Sequence, residues 1–331
     1  MSADAAERWP RILAAYARPQ PLRSAAALVV SLLGLGGLLA LVFCAGAAAP
    51  WVALALTPLG SGLLARLFAI FHDCTHGSFF RSSRANEAVG RALGVLVLTP
   101  YGYWRETHLR HHASAGDLAR RGVGDIDTLT VSEYASRGRF ARARYRALRH
   151  PLVLFGLAPL YQFGLRQRLP LALPAPRAPL VWSILATDAV LLGLLALALA
   201  TLGAAPLLWL APWWLGLATI ALWIFYVHHQ FAGVRWEQPE RWRFAESALR
   251  GSAFYDLPRP LAWLLCHIGI HHVHHLLPSI PGYRLPEVLR AHPALARVNR
   301  VGLRESFACA KLALWDERAE RLVSFREARG S

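Results

Sequence analysis

The chain has 331 residues, 55% of them hydrophobic, a mean hydropathy of +0.33 and a formal net charge of +16. This composition is too apolar for an ordinary soluble domain. The positive charge would suit a nucleic-acid binder, but the arginines lie between long uncharged stretches instead of forming one basic surface. We therefore expect no nucleic-acid partner.

The first 23 residues are polar and rich in arginine, which predicts a short helix at a membrane interface. Two long apolar stretches follow, residues 24–71 and 178–227, each with one charged residue, Arg66 and Asp188. About 20 apolar residues cross a bilayer, so each stretch predicts a hairpin of two spanning helices. The expected spans are residues 24–47, 51–71, 179–202 and 207–227, with turns near 46–50 and 203–206.

The segments outside these hairpins carry nearly all the arginine, which is the pattern of cytoplasmic segments. We therefore predict an all-α, multi-pass integral membrane protein of a bacterial inner (plasma) membrane, with both termini cytoplasmic. It forms one domain with a histidine-rich helical cap on the cytosolic side. The expected parts are the interfacial segment 1–23, the first hairpin 24–71, the cap segment 72–177, the second hairpin 178–227, and the cap segment and tail 228–331.

Three histidine clusters each follow an apolar segment. Box one is His72 and His76; box two is His108, His111 and His112; box three is His271, His274 and His275. Spacings of three and four residues place side chains on one face of a helix. Neutral imidazole binds Fe, Zn, Cu and Ni, and one tetrahedral zinc needs only about four ligands. Eight histidines therefore indicate two metal ions, or one ion and several bystanders.

A further pair, His228 and His229, ends the last expected span. We expect His229 to complete the metal site, and His228 to point about 100° away, so that both cannot readily serve one ion. Imidazole ligands usually donate their other ring nitrogen to a carboxylate or carbonyl. Candidates near the boxes for such contacts are Asp73, Glu106, Asp125, Asp127, Asp256, His228, His267 and His272. No catalytic residue is expected outside the metal site, and any of these carboxylates could instead be solvated or ion-paired.

Several stretches together carry a family resemblance. They are residues 71–80 (FHDCTHGSFF), 103–112 (YWRETHLRHH), 124–129 (GDIDTL), 255–258 (YDLP), 268–276 (IGIHHVHHL) and 280–285 (IPGYRL). From about residue 60 to 290, the chain resembles the membrane-bound fatty acid desaturase superfamily, in its acyl-lipid, omega-6 (delta-12-like) branch. The resemblance implies two iron ions held by the histidines of the three boxes, with His229 as an additional ligand.

It also implies an O2-dependent reaction that places a cis double bond in the acyl chain of a membrane lipid. Electrons would come from ferredoxin or a cytochrome b5-like carrier. Three positions depart from the branch: His267 stands where Asn is common, His228 where Gln is common, and Ala232 where an acidic residue is frequent. They bear on the choice of substrate and on the reaction outcome, not on metal binding.

Other functions remain open on the sequence alone. A hydroxylase or ketolase acting on lipids or carotenoids would use a similar histidine scaffold and would give an oxygenated product. A metal transporter would place its binding residues near the middle of the bilayer. A haem protein would take axial ligands from inside a helix bundle. Histidines beyond the helix ends fit the last two classes less well.

Overall fold

A computed structural model describes residues 3–46, 49–122, 125–173 and 175–329. The first half is mostly helical. Its helices are α1 (Ala3–Leu13), α2 (Pro21–Ala45), α3 (Trp51–Ala55), α4 (Thr57–Thr75), α5 (Ser83–Leu96), α6 (Tyr101–Ser114), α7 (Val131–Ser136) and α8 (Arg139–Leu148). A short strand, β1 (Leu129–Thr130), precedes α7. After α8 the chain forms two π-helical turns, Val153–Leu157 and Gln162–Arg166, on either side of α9 (Ala158–Tyr161).

The second half contains two long helices followed by short elements. The helices are α10 (Ala178–Leu202), α11 (Ala204–His229), α12 (Phe244–Arg250), α13 (Arg259–Leu264), α14 (His271–Leu276), α15 (Leu285–Ala291) and α16 (Leu303–Cys309). The strands are β2 (Phe254–Asp256), β3 (Arg300–Gly302), β4 (Leu314–Asp316) and β5 (Arg321–Val323).

Three of the described helices, α2, α10 and α11, are long and apolar enough to cross a membrane. They begin or end within a few residues of the expected spans, although the expected first end, Ala47, lies outside the described residues. The turn between α10 and α11 is shorter than predicted and consists of Gly203, which has a φ of +75°. Pro206 instead lies in the first turn of α11, where the missing proline N–H costs no hydrogen bond.

The expected span 51–71 is not one continuous helix. Two helices meet at Leu56, and the second, α4, continues to Thr75. α4 packs between α2 and α11 and is buried over most of its length. Its buried Arg66 donates from Nε to Ser31 Oγ at 2.8 Å and from Nη1 to the Trp263 carbonyl. α4 is not among the three long apolar helices, so a total of four spans stays a prediction.

The described residues are mostly helical, as predicted, and they also form five short strands that were not predicted. β1 lies parallel to β4, β4 is antiparallel to β5, and β2 lies parallel to β3. Each strand has only two or three residues and its partner can be far along the chain, as for Leu129 and Leu314. Strands this short carry no alternating hydrophobic pattern that could be recognised in the sequence.

Both chain ends pack beside the segments that bear histidine. α1 packs against α12, and its Leu13 joins a core with Val273 of α14. The guanidinium of Arg284 donates to the carbonyls of Ala15, Tyr16 and Arg18. At the other end of the chain, β4 and β5 complete the sheet that begins with β1. The terminal segments are therefore part of the same body as the histidines.

Candidate metal centre

The histidines lie at the ends of helices that the packing described above holds in place. His72 is in the last turn of α4 and His76 directly follows that helix. Box two occupies α6, box three occupies α14, and His229 is the last residue of α11. Four segments that are distant in sequence thus bring their imidazoles to one place.

The imidazoles form two groups. The first histidine group is His72, His76, His108, His112 and His274, whose ligand nitrogens all lie within 4.8 Å of one another. Nε2 of His108 is 3.0 Å from Nε2 of His76 and 3.1 Å from Nε2 of His112. Nε2 of His274 is in turn 3.1 Å from Nε2 of His112. The buried Nε2 of His72 has no hydrogen-bond partner among the described residues.

The second histidine group is His111, His229, His271 and His275, again with all ligand nitrogens within 4.8 Å. Nε2 of His229 is 3.1 Å from Nε2 of both His111 and His271. Nε2 of His275 is 3.1 Å from Nε2 of His271. All nine histidines that the sequence marks as candidate ligands thus fall into one group or the other.

The groups do not follow the sequence boxes. His111 and His112 are adjacent on α6 but belong to different groups, and so do His274 and His275 on α14. Successive helix residues point about 100° apart, which sends each neighbour to the other side. The rings of His112 and His275 stack across the boundary at 4.0 Å, so the two groups are in contact.

Hydrogen bonds between the imidazoles cannot account for the second group. His229 Nδ1 lies 3.2 Å from the carbonyl of Gly251, which can only accept, so this nitrogen carries the proton and Nε2 is bare. His111 and His271 must then both donate to it. A neutral His271 has no lone pair left on Nε2 for His275, yet those two nitrogens are also 3.1 Å apart. A central cation would satisfy the converging lone pairs.

Burial keeps these imidazoles in the neutral form that binds metals. It lowers the pKa of His111 to about 3, with a smaller contribution from His72. Burial and then the neighbouring imidazoles also lower the pKa of His108 and His275 well below the ordinary range. The donor set and its protonation therefore fit metal ions, and the two clusters could each hold one.

Asp73, one of the expected neighbours of the histidines, lies beside the first histidine group. Its Oδ2 accepts the backbone N–H of Gly282 at 2.8 Å, and its Oδ1 is 3.6 Å from Nδ1 of His72. A Cβ on Gly282 would lie 2.4 Å from the carbonyl oxygen of Cys266. The segment around Gly282 thus anchors the carboxylate beside the first group.

The other candidate carboxylates lie in different surroundings. Asp125 lines a cavity beside the histidines, and burial raises its pKa, while Gly124 of the same motif lies outside the described residues. Asp127 is exposed. Glu106 pairs with Arg110 at 2.9 Å and with Arg177 at 3.4 Å. The carboxylate of Asp256 pairs with Arg300, which is the ion-paired alternative considered for these candidates.

Three further candidate histidines, His228, His267 and His272, lie outside both groups. The ring of His228 stacks on His271 with centroids 3.9 Å apart, and its buried Nε2 has no partner among the described residues. Nε2 of His272 is 3.0 Å from the carbonyl of Leu295 and is turned away from the groups. His267 is half-buried with a φ of +62°, and burial lowers its pKa to about 4.

Two aromatic residues that contact the histidines were not predicted. Trp104 stacks on His108 with centroids 4.3 Å apart, and Phe225 lies 5.1 Å from His111 and 5.2 Å from His229. In each helix the aromatic residue precedes a histidine by four positions, which places both on one face. The four-residue spacing between the aromatic residue and the histidine was the signal in the sequence that could have predicted these contacts.

A cavity of about 200 Å³ adjoins the histidines. Small and apolar side chains of α4 and α11 form much of its wall, including Ala65, Ala69, Ala221 and Ile224. His72, His108, His228 and His271 also line it. The cavity therefore joins an apolar space between long apolar helices to nitrogens that could bind a metal ion.

Comparisons with known proteins agree with this site. The family described as Fatty acid desaturase matches residues 49–307. A Bacillus subtilis protein named "Fatty acid desaturase" is 38% identical over 95% of this chain and 89% of its own length. Two Synechocystis proteins are each 28% identical: "sn-1 oleoyl-lipid 12-desaturase", over 71% of this chain and 67% of its own length, and "sn-1 acyl-lipid omega-3 desaturase (ferredoxin)", over 68% and 63%.

The match covers more than half of the chain and includes all three histidine boxes and His229. The chain belongs to the fatty acid desaturase family, whose members are oxidoreductases acting in lipid metabolism.

Proposed function

We propose that the chain is an O2-dependent di-iron desaturase that introduces a cis double bond into the acyl chain of a membrane lipid. Family membership supports the reaction class. The single observation that carries the proposal is the division of nine histidines into two converging groups. One iron would be held by the first histidine group and the other by the second.

The number of donors supports iron over structural zinc. The first group offers five histidines, one more than a tetrahedral zinc ion would use. The neighbouring Nε2 atoms of both groups are 3.0–3.1 Å apart, so the donors of each group converge.

When bound, reduced iron together with O2 supplies the strong oxidant that an unactivated methylene requires. The residues of this chain orient and shield the site. The Gly251 carbonyl fixes the tautomer of His229, so that Nε2 faces its group. Stacked Trp104 and the buried helix ends limit the access of water to the imidazoles.

The cavity supports an acyl chain as substrate. His72, Ala69 and Ala65 follow one another along one face of α4 at spacings of three and four residues, and all three line the cavity. An extended hydrocarbon could lie along this face with one methylene beside the histidines. An apolar chain would leave no polar group unsatisfied against these walls.

We further propose that the histidine side of the molecule is cytoplasmic, in a bacterial inner membrane, with α3 and α4 together forming a fourth crossing. The distribution of arginine supports this orientation. Both termini would then be cytoplasmic, since α1 and the β4–β5 segment belong to the same body as the histidines. The electron donor would be ferredoxin, which the name of one Synechocystis relative contains, or a cytochrome b5-like carrier.

Gas chromatography with mass spectrometry of lipids from a heterologous host tests this function. We expect new cis-monounsaturated acyl chains in hosts that express the chain with an electron donor, and none with the His271→Ala variant. Oxygenated acyl chains would show that the enzyme is a hydroxylase or ketolase instead. An unchanged lipid profile, with the protein folded and iron-loaded, would contradict the proposed activity.

A further inference from the structure

The cavity has a second, polar part away from the histidines. Gln162, Arg166 and Gln167, from the π-helical turn and the residue after it, line it together with Tyr103 of α6. Burial raises the pKa of the Tyr103 phenol, and the nearby positive charge of Arg166 opposes this shift. These groups are therefore neighbours. Tyr103 precedes His108 by five residues, about 7 Å along the axis of α6.

The polar groups at this end have unused hydrogen-bonding capacity. Gln167 is only 4% exposed, and its side-chain amide makes no hydrogen bond within the described part of the chain. The Tyr103 hydroxyl accepts the N–H of Ala172 at 2.7 Å, and its own proton has no acceptor among the described residues. Leaving such buried groups unpaired is costly, which indicates that a ligand or water completes them.

Arg166 is half-buried and also lacks a charged partner. Its guanidinium has a long contact of 3.5 Å with Oε1 of Gln162, and no described carboxylate pairs with it. Its neighbour Arg168, by contrast, pairs with Asp188 and donates to the carbonyl of Leu98. The contrast between these two arginines, which are two positions apart, indicates that the charge of Arg166 is available to an anion.

The surface around this end is apolar. Leu157, Leu160, Tyr161 and Leu165 lie on the same segment as Gln162 and Arg166, and they are 45–61% exposed. Such a cluster is unfavourable in water and favourable against hydrocarbon. A ligand that enters here therefore comes from the bilayer rather than from solution.

We propose that this end of the cavity binds the head of a glycerophospholipid, whose acyl chain extends past the histidines. The Tyr103 hydroxyl and the Gln167 amide donate to the ester carbonyl, and Arg166 pairs with the phosphate. The proposal rests on the proposed desaturase function and specifies the acyl carrier. A thioester of coenzyme A also offers a carbonyl and phosphates, but it arrives from water, against the apolar surface just described.

Equilibrium binding to the purified full-length protein in detergent tests the proposal. The probe is dipalmitoyl phosphatidylglycerol, radiolabelled in its acyl chains, with unlabelled palmitate and palmitoyl-coenzyme A as competitors. No electron donor is present, so binding is measured without turnover. The variants are Arg166→Gln and Gln167→Leu, and the matched control is Arg144→Gln, which removes an exposed charge on α8. Thermal unfolding of each variant checks that it is folded.

We expect Arg166→Gln and Gln167→Leu to weaken binding of the phospholipid about tenfold each, as for the loss of a charge-assisted or buried hydrogen bond. Arg144→Gln should bind like the wild type, and both competitors should be at least tenfold weaker than the phospholipid.

Equal binding by Arg166→Gln and Arg144→Gln would overturn the proposal, as would absent wild-type binding. Equal competition by palmitoyl-coenzyme A would overturn the choice of carrier. Because binding is read without turnover, a failure of desaturation in the host would count against the proposed function alone.

Discussion

The two histidine groups contain the same chemical donors but are supported by different parts of the chain. The first takes box one from the end of α4, and Asp73 beside it is tied to Gly282. The second takes His229 from the end of α11, fixed by the Gly251 carbonyl. Only boxes two and three contribute to both. A histidine box therefore does not correspond to one histidine group, and neighbouring residues of a box belong to different groups.

Substitution of the adjacent histidines His111 and His112 on α6 should have the largest effect on activity. His111→Ala and His112→Ala each remove one nitrogen, but from different groups. Loss of a residue that only supports a metal ligand lowers metal affinity or activity roughly 10–100-fold. We therefore expect each variant, which loses a ligand itself, to form about 100-fold less unsaturated product or even less. Lipid profiling in the expression host measures this. His150→Ala, which changes an exposed histidine outside both groups, should keep normal activity, and an active His111→Ala enzyme would refute the assignment of that residue.

A backbone substitution should disturb the first group alone. In Gly282→Ala the new Cβ would lie 2.4 Å from the Cys266 carbonyl oxygen and 3.2 Å from Oδ2 of Asp73. We expect a destabilisation of about 1–3 kcal/mol from overpacking, together with a selective loss of iron from the first group. Thermal unfolding and iron analysis of the purified variant measure both.

The matched control is Gly138→Ala, where the added Cβ meets no atom within 4 Å. This variant should unfold like the wild type and keep its iron. If Gly282→Ala behaves in the same way, the segment at residue 282 does not support the first group.

The smallest expected effect is a dependence of stability on pH that comes from an ion pair outside both histidine groups. Glu133 pairs with Arg121 at 2.6 Å, and this contact holds the pKa of the carboxyl below its ordinary value of about 4.5. A lowered pKa stabilises the folded state above about pH 4.5, and this stability is lost as the pH falls through the folded pKa. Since Glu133 is partly exposed, we expect only about 0.5 kcal/mol.

Thermal unfolding of the wild type and Glu133→Gln between pH 3 and pH 7 measures this contribution. The two melting curves should converge at the acidic end and differ slightly at neutral pH. A difference that grows as the pH falls would have the wrong sign and would reject the ion pair as a stabilising contact.

The nine candidate ligands could be found from the sequence because helical spacing and nearby apolar segments mark them locally. The turn of about 100° per helix residue that separates His228 from His229 also separates His111 from His112. The division of boxes two and three between the groups therefore follows from helix geometry, although the spacing of the boxes alone suggests that each is one unit.

Other features depend on contacts between distant segments and could not be read locally. Asp73 and Gly282 are 209 positions apart, and the pairing of Asp256 with Arg300 depends on the β2–β3 contact. The short strands carry no periodic signal. The contacts of the buried Arg66 likewise join it to Ser31 of α2 and to the carbonyl of Trp263. The break between α3 and α4 is different, because it coincides with Pro58 in the first turn of α4, which is visible in the sequence.

The central claim is that each histidine group holds one iron, and the iron content of the purified protein tests it most directly. Mass spectrometry of the metals should give about two irons per wild-type chain and about one in His76→Ala or His229→Ala, which each change a single group. One iron in the wild type would contradict the claim. So would two irons retained after both His76 and His229 are replaced.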